Sequence, residues 1–73
     1  MAVNIRAPLS GTVSQVVVQV GDVVQVGDTV AILESMKMEI PIESTAAGAV
    51  AEIAVAPGGF VKEGDTLVII DAD

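Results

Sequence analysis

Short apolar segments separated by turn-forming residues make up nearly the whole chain. The segments that are rich in β-branched residues are 3–7, 12–20, 29–33, 40–42, 49–55 and 66–70, with two shorter ones at 23–24 and 60–61. Gly, Pro, Ser and Thr bound them, and none follows the i, i+3, i+4 spacing of an amphipathic helix. The pattern predicts an all-β protein of eight short strands.

The second half of the chain repeats the first after a shift of 37 residues, without a gap. Gly11 falls on Gly48, and the triplet 27–29 (Gly-Asp-Thr) falls on 64–66. Two copies are too few for a solenoid. The repeat therefore predicts a flattened barrel or sandwich of two four-stranded halves, related by a pseudo-two-fold axis. The same shift carries Lys37 to position 74, just past the last residue. We therefore expect Lys37 and the chain termini at opposite ends of the domain.

A two-residue reversal between the segments 29–33 and 40–42 would place Met36 and Lys37 at the tip of a hairpin. The register of this hairpin is then Ser35 opposite Met38, Glu34 opposite Glu39 and Leu33 opposite Ile40. Two-residue hairpin loops need positive φ and favour Asn-Gly or Asp-Gly. A left-handed conformation costs Met and Lys about 1–2 kcal/mol each, and two facing carboxylates cost about 0.2–1 kcal/mol more. Such local penalties indicate a segment that serves something other than stability.

The sequence around Lys37 resembles a known attachment motif. Residues 34–38, Glu-Ser-Met-Lys-Met, are similar to the Glu-Ala-Met-Lys-Met motif of biotinyl domains, the carrier modules of biotin-dependent carboxylases. Residues 7–13, Ala-Pro-Leu-Ser-Gly-Thr-Val, resemble the N-terminal signature of that family. The resemblance covers nearly the whole chain and extends to the small single-domain biotin/lipoyl attachment proteins, although Ser35 stands where the family usually has Ala. It implies that residues 1–73 form one domain, a barrel-sandwich hybrid with the modified lysine on the tip of the central hairpin.

The resemblance also implies a function. A biotin–protein ligase would attach biotin to Lys37, and the biotin arm would carry carboxylate from a biotin carboxylase to a carboxyltransferase. The surrounding recognition surface would comprise Glu34, Ser35, Met36, Met38 and Glu39. The alternatives are that the two methionines only pack within the turn and that the two glutamates are only solvated charges. A lysine in water is almost entirely protonated at pH 7, and the chain has no His to act as a base. The domain is therefore expected to be a non-catalytic carrier with no catalytic residue of its own.

Two alternatives remain open at this point. A lipoyl domain of a 2-oxoacid dehydrogenase complex has the same fold and would carry lipoate on the same lysine, although such domains usually read Asp-Lys-Ala at the tip. An unmodified hybrid-barrel module would act only as a binding or adaptor piece.

Composition excludes several other classes of function. The net charge is −7, with three Lys and Arg against ten Asp and Glu, which argues against nucleic acid and anionic membranes as partners. The chain has no Cys and no His, so a metal site is not expected. No apolar run approaches the roughly 18–20 residues of a membrane span, and the N-terminus lacks the pattern of a signal peptide. We therefore expect a cytoplasmic location.

Overall fold

A computed structural model describes residues 1–72 and confirms the all-β prediction. Its eight strands are β1 (Ala2–Arg6), β2 (Gly11–Val16), β3 (Val23–Val24), β4 (Thr29–Ser35), β5 (Met38–Glu43), β6 (Gly48–Ile53), β7 (Phe60–Val61) and β8 (Thr66–Ala72). They form two four-stranded sheets. The terminal sheet has the order β1-β8-β6-β3, and the lysine sheet has the order β5-β4-β2-β7. Residues 1–72 include no helix that could cross a membrane.

The core lies between the two sheets and consists of small branched side chains. Inward and outward residues alternate along each strand, as a sheet with one buried face requires. The fully buried residues of largest volume include Val13, Leu33, Val50, Leu67 and Ile70. Ser44 is the buried polar residue of the described chain, and its hydroxyl donates to the carbonyl of Ala46 over 2.6 Å. Burial of these apolar side chains is the main stabilising term for a chain without disulfides.

The internal repeat appears directly in the strand pairing. In the β4–β5 pair, Leu33 lies opposite Ile40. A shift of 37 residues turns that pair into Ile70 opposite Val3, which is the pairing found between β8 and β1. Each sheet nevertheless takes two strands from each half of the sequence. The two halves therefore interlock, and neither could bury its apolar face without the other.

The strand predicted at 12–20 ends earlier than the sequence pattern indicated. β2 stops at Val16 because the chain then crosses to β3 in the other sheet. The crossing segment satisfies its backbone in other ways: Val17 N–H donates to the carbonyl of Val30 over 3.1 Å, and Gln19 N–H donates to Asp22 Oδ2 over 2.8 Å. A run of β-branched residues shows where extended chain is favoured, but not where it changes sheet. The other predicted strands agree with the observed ones to within two residues at each end.

Two aspartates close turns, and a proline lies on an edge strand. The carboxylate of Asp28 accepts a hydrogen bond from Gln25 N–H over 2.8 Å, and that of Asp65 accepts one from Lys62 N–H over 2.9 Å. These bonds close the turns that lead into β4 and β8. Pro41 lies on β5, an edge strand, where its missing N–H leaves no gap in the ladder.

Candidate functional site at the lysine hairpin

The β4–β5 hairpin has the register that the sequence predicts. Ser35 lies opposite Met38, and Glu34 lies opposite Glu39. The two turn residues are both left-handed, with φ of 52° at Met36 and 66° at Lys37. They are the non-glycine residues with positive φ in the described chain. Non-glycine left-handed residues persist where the surrounding structure over-determines them, and they occur often at functional sites.

The base of the hairpin is held firmly by the sheet beneath it. Leu33 is completely buried one residue below Glu34. On the other side, β2 approaches so closely that a Cβ atom on Gly11 would lie 2.7 Å from the carbonyl oxygen of Glu34. Only glycine allows this approach without displacing the hairpin backbone. The tip is therefore presented from a rigid base.

The tip itself points into solvent. Lys37 is exposed, and the side chains of Met36 and Met38 are 93% and 65% exposed. Such exposure means that these two methionines do not pack into the core, so their apolar surface is available to a partner. Within residues 1–72, Lys37 forms no ion pair. Its amine is accessible and can act as the nucleophile toward an activated acyl group, provided that another protein removes the proton.

The outer face of the lysine sheet carries a row of side chains directly behind the tip. Four strands contribute one residue each, and the cross-strand partners in order are Phe60, Thr12, Glu34 and Glu39. We call these four residues the lysine row. Neighbours of this kind point to the same side of a sheet. Here that side faces solvent, since Phe60 is 68% exposed and both glutamates are exposed. Ser14 adds a hydrogen bond from its hydroxyl to Glu39 Oε1 over 3.3 Å.

Sequence reasoning places Glu34 and Glu39 beside the lysine, but it misses Phe60 and Thr12. Phe60 is 23 residues from Lys37 along the chain. It joins the row only because β7 pairs with β2 and β2 pairs with β4. The one available sequence signal is that Phe60 is the single aromatic residue of the chain.

The lysine stands on the projecting, exposed tip of the hairpin. A groove of about 290 Å³ lies between the edge strands β1 and β5, with Arg6, Ile40 and Glu43 among its walls. Lys37 is not among the residues that line it. In residues 1–72 there is no group of three or more His, Cys, Asp or Glu that could hold a metal ion. The arrangement suits a residue that is delivered to other active sites.

Comparison with known proteins places the chain in a family. Residues 3–70 match the family of biotin and lipoyl attachment domains described as "Biotin-requiring enzyme". The match covers almost the whole chain, so the chain belongs to this family. The predicted class, a biotinyl-type carrier domain, is confirmed at that level.

Curated relatives carry names that refer to biotin or to a carboxyltransferase. "Biotinylated protein TB7.3" of Mycobacterium tuberculosis is 50% identical over 42 residues, which is 58% of this chain and 59% of that protein. The "Methylmalonyl-CoA carboxyltransferase 1.3S subunit" of Propionibacterium freudenreichii subsp. shermanii is 56% identical over 36 residues, which is 49% of this chain and 29% of that subunit. The matched part of the chain thus spans about three fifths of the first relative and under a third of the second.

A solved structure shows the same fold at close similarity. The urea carboxylase of Kluyveromyces lactis contains a segment that covers 97% of this chain with a TM-score of 0.92 and 34% identity. That segment is only 6% of the carboxylase chain. The predicted all-β barrel-sandwich fold is confirmed, with two four-stranded sheets that each combine strands of both halves of the chain.

Proposed function

We propose that Lys37 is the attachment point for biotin and that the protein is a biotin carboxyl carrier. The observation that carries this proposal is the exposed lysine at the left-handed tip of a rigidly based hairpin, φ 66°, in a chain of the biotin and lipoyl attachment family. The relatives named as a biotinylated protein and as a carboxyltransferase subunit support biotin as the group.

The residues at the tip fit a covalent attachment. The amide bond forms when Lys37 Nζ attacks the acyl carbon of a biotinyl-adenylate held by a partner enzyme. The acyl–phosphate bond breaks, AMP leaves, and the partner enzyme accepts the proton of the amine. No pocket on this protein is needed, because the attached group works in the active sites of other proteins. Bound biotin supplies the chemistry of carboxyl transfer, which the carrier domain itself lacks.

The contribution of the chain is position. The tip is presented on a rigid base, so a group on the flexible lysine arm samples the space around one end of the domain at high effective concentration. The partners that follow are a biotin–protein ligase, a biotin carboxylase and a carboxyltransferase. The surface that these enzymes read comprises Glu34, Ser35, Met36, Met38 and Glu39.

Intact mass spectrometry tests the proposal. The protein is incubated with a biotin–protein ligase, biotin and ATP, and the modified residue is then mapped by peptide analysis. We expect a single biotinyl increment on Lys37. Lys37→Arg should abolish it, because a guanidinium is not acylated, whereas Lys62→Arg should leave it intact. Lys62 is the matched control, since it is the other lysine of the chain, is exposed and lies in a turn.

Other outcomes would contradict the proposal. If an active ligase adds no biotinyl group to the wild-type protein, the protein is not a biotin carrier. If the biotinyl group is found on Lys62, Lys37 is not the attachment site. A parallel incubation with a lipoate–protein ligase and lipoate shows whether Lys37 accepts biotin or lipoate. Exclusive lipoylation of Lys37 would make the protein an acyl carrier.

A further inference from the structure

The pseudo-two-fold symmetry supplies an internal reference for the lysine row. A shift of 37 residues maps its members onto a second row on the terminal sheet. That terminal row consists of Val23, Ala49, Asp71 and Ala2, and their cross-strand pairing is the same as in the lysine row. Since the two rows have the same place in the fold, differences between them are not demanded by the backbone.

The first difference concerns the residue on the short edge strand. Phe60 on β7 and Val23 on β3 are equivalent, and both are largely exposed, at 68% and 73%. Valine therefore satisfies the fold at this position. A phenylalanine in the same place adds a large exposed aromatic surface, which water disfavours.

The second difference concerns charge. The terminal row has one carboxylate, Asp71, and it lies 3.5 Å from the amino group of Met1. The lysine row has two facing carboxylates, Glu34 and Glu39, and neither forms an ion pair within residues 1–72. Two like charges opposite one another are mildly destabilising. The lysine row thus has an exposed aromatic ring at one end and two carboxylates without an ion pair at the other, a composition that suits a partner surface with an apolar pocket and opposite charge.

We propose that the lysine row is the docking surface for the enzyme that acylates Lys37, an inference that rests on the proposed function. The ring of Phe60 enters an apolar pocket on the ligase. Glu34 and Glu39 face Lys or Arg side chains of the ligase, and Thr12 lies between the two contacts. The row thereby sets the angle at which the tip enters the ligase active site.

The short length of the unmodified lysine side chain indicates that the ligase, and not the later partner enzymes, contacts the lysine row. Before modification, Nζ stands only a four-carbon stem away from the backbone. The enzyme that forms the amide bond must therefore approach the tip closely, and the lysine row is the surface directly behind that tip. Once the arm is lengthened by the attached group, the later active sites can be reached with the domain further away.

Steady-state kinetics with the intact protein test this docking surface. Phe60→Ser is compared with Val23→Ser, the equivalent change at the terminal end. With saturating biotin and ATP, we expect Phe60→Ser to raise the KM of the ligase for this protein about tenfold. The kcat should stay within about twofold, because the lysine and its hairpin are unchanged. Val23→Ser should leave both constants within about twofold of the wild type.

The charged part of the surface has its own readout. For the wild type, kcat/KM should fall as the NaCl concentration rises, because salt screens the attraction between the carboxylates and a basic surface. The double substitution E34Q/E39Q should flatten this salt dependence. The single substitution Asp71→Asn, at the terminal end, should leave it unchanged.

The outcomes separate this inference from the proposed function. A wild-type protein that is not biotinylated at all defeats the proposed function. A wild-type protein that is modified on Lys37, together with a Phe60→Ser variant of unchanged KM, overturns the docking surface alone. If Phe60→Ser does not fold, Phe60→Val decides the matter, because valine is the residue that the fold accepts at the equivalent position. An unchanged KM for that variant would likewise overturn the inference.

Discussion

The lysine hairpin and the paired chain termini are equivalent regions of the two sheets. At the lysine end, Ser35 pairs with Met38 across a two-residue turn. At the other, Ala72 pairs with Met1 in the same register, with N–H to carbonyl distances of 2.7 Å in both directions. The ladder is thus closed at both places, once by a covalent turn and once by the two ends of the chain.

The difference between these regions shows which features hold the strands together and which belong to the candidate site. Paired strands, buried apolar rows and a glycine at the close approach recur at both ends. Left-handed non-glycine residues, facing carboxylates and an exposed aromatic occur only at the lysine end of the described chain. Because the terminal end is built without them, they are not needed to hold the strands together. Three sets of substitutions test whether the two regions differ in this way.

The largest effect is expected at the two glycines of close approach. Gly11→Ala would place a Cβ atom 2.7 Å from the carbonyl oxygen of Glu34, and Gly48→Ala would crowd the carbonyl of Asp71 even more closely. Each should lower the free energy of unfolding by about 1–3 kcal/mol, as measured by urea denaturation. Only Gly11→Ala should also slow biotinylation, because it displaces the hairpin backbone. Equal slowing by Gly48→Ala would show that general loosening of the domain is responsible.

A smaller effect of opposite sign is expected at the turn. Met36→Asn should raise the free energy of unfolding by about 1 kcal/mol, because Asn tolerates the left-handed φ of 52° better than Met. Met38→Asn is the matched control; it lies in β5, where no left-handed conformation is relieved, and should give no gain. The stabilised variant should be a poorer substrate of the ligase, because the exposed Met36 side chain is lost. A Met36→Asn protein without increased stability would show that the hairpin tip is not strained.

The smallest effect is expected at the turn before β3 and the equivalent turn before β7, since within residues 1–72 only the first is closed by a hydrogen bond to an aspartate side chain. Asp22 accepts a hydrogen bond from Gln19 N–H over 2.8 Å, and the equivalent of Asp22 in the second half is Gly59. Gly59→Asp should raise the free energy of unfolding by about 0.5–1 kcal/mol through a new bond from Ala56 N–H. Asp22→Gly should lower it by a similar amount. Thermal unfolding of both variants measures the two changes in stability. If Gly59→Asp is no more stable than the wild type, the two turns are not equivalent.

Local patterns were sufficient for much of the fold. Turn residues delimited the strands, and the repeat indicated two related halves. The hairpin register followed from placing a two-residue turn at Met36 and Lys37 between two apolar segments. The crossing after Val16 was not foreseen, because a β-branched run looks the same in a strand and in a crossing segment. The opposite-end placement of Lys37 and the termini stays a prediction from the symmetry.

The turn at Met36 and Lys37 and the two acids beside it could be predicted from sequence alone, because they lie within six consecutive positions, and the same stretch is enough to propose Lys37 as the attachment residue. The distant residues that share the surface of Lys37 could be identified only from the fold. Phe60 and Thr12 reach that surface through the strand order β7-β2-β4-β5, and the approach of Gly11 to Glu34 depends on the same order. Strand order is decided by how the two halves bury their apolar faces against each other. That is a property of the whole core, and no short stretch of sequence contains it.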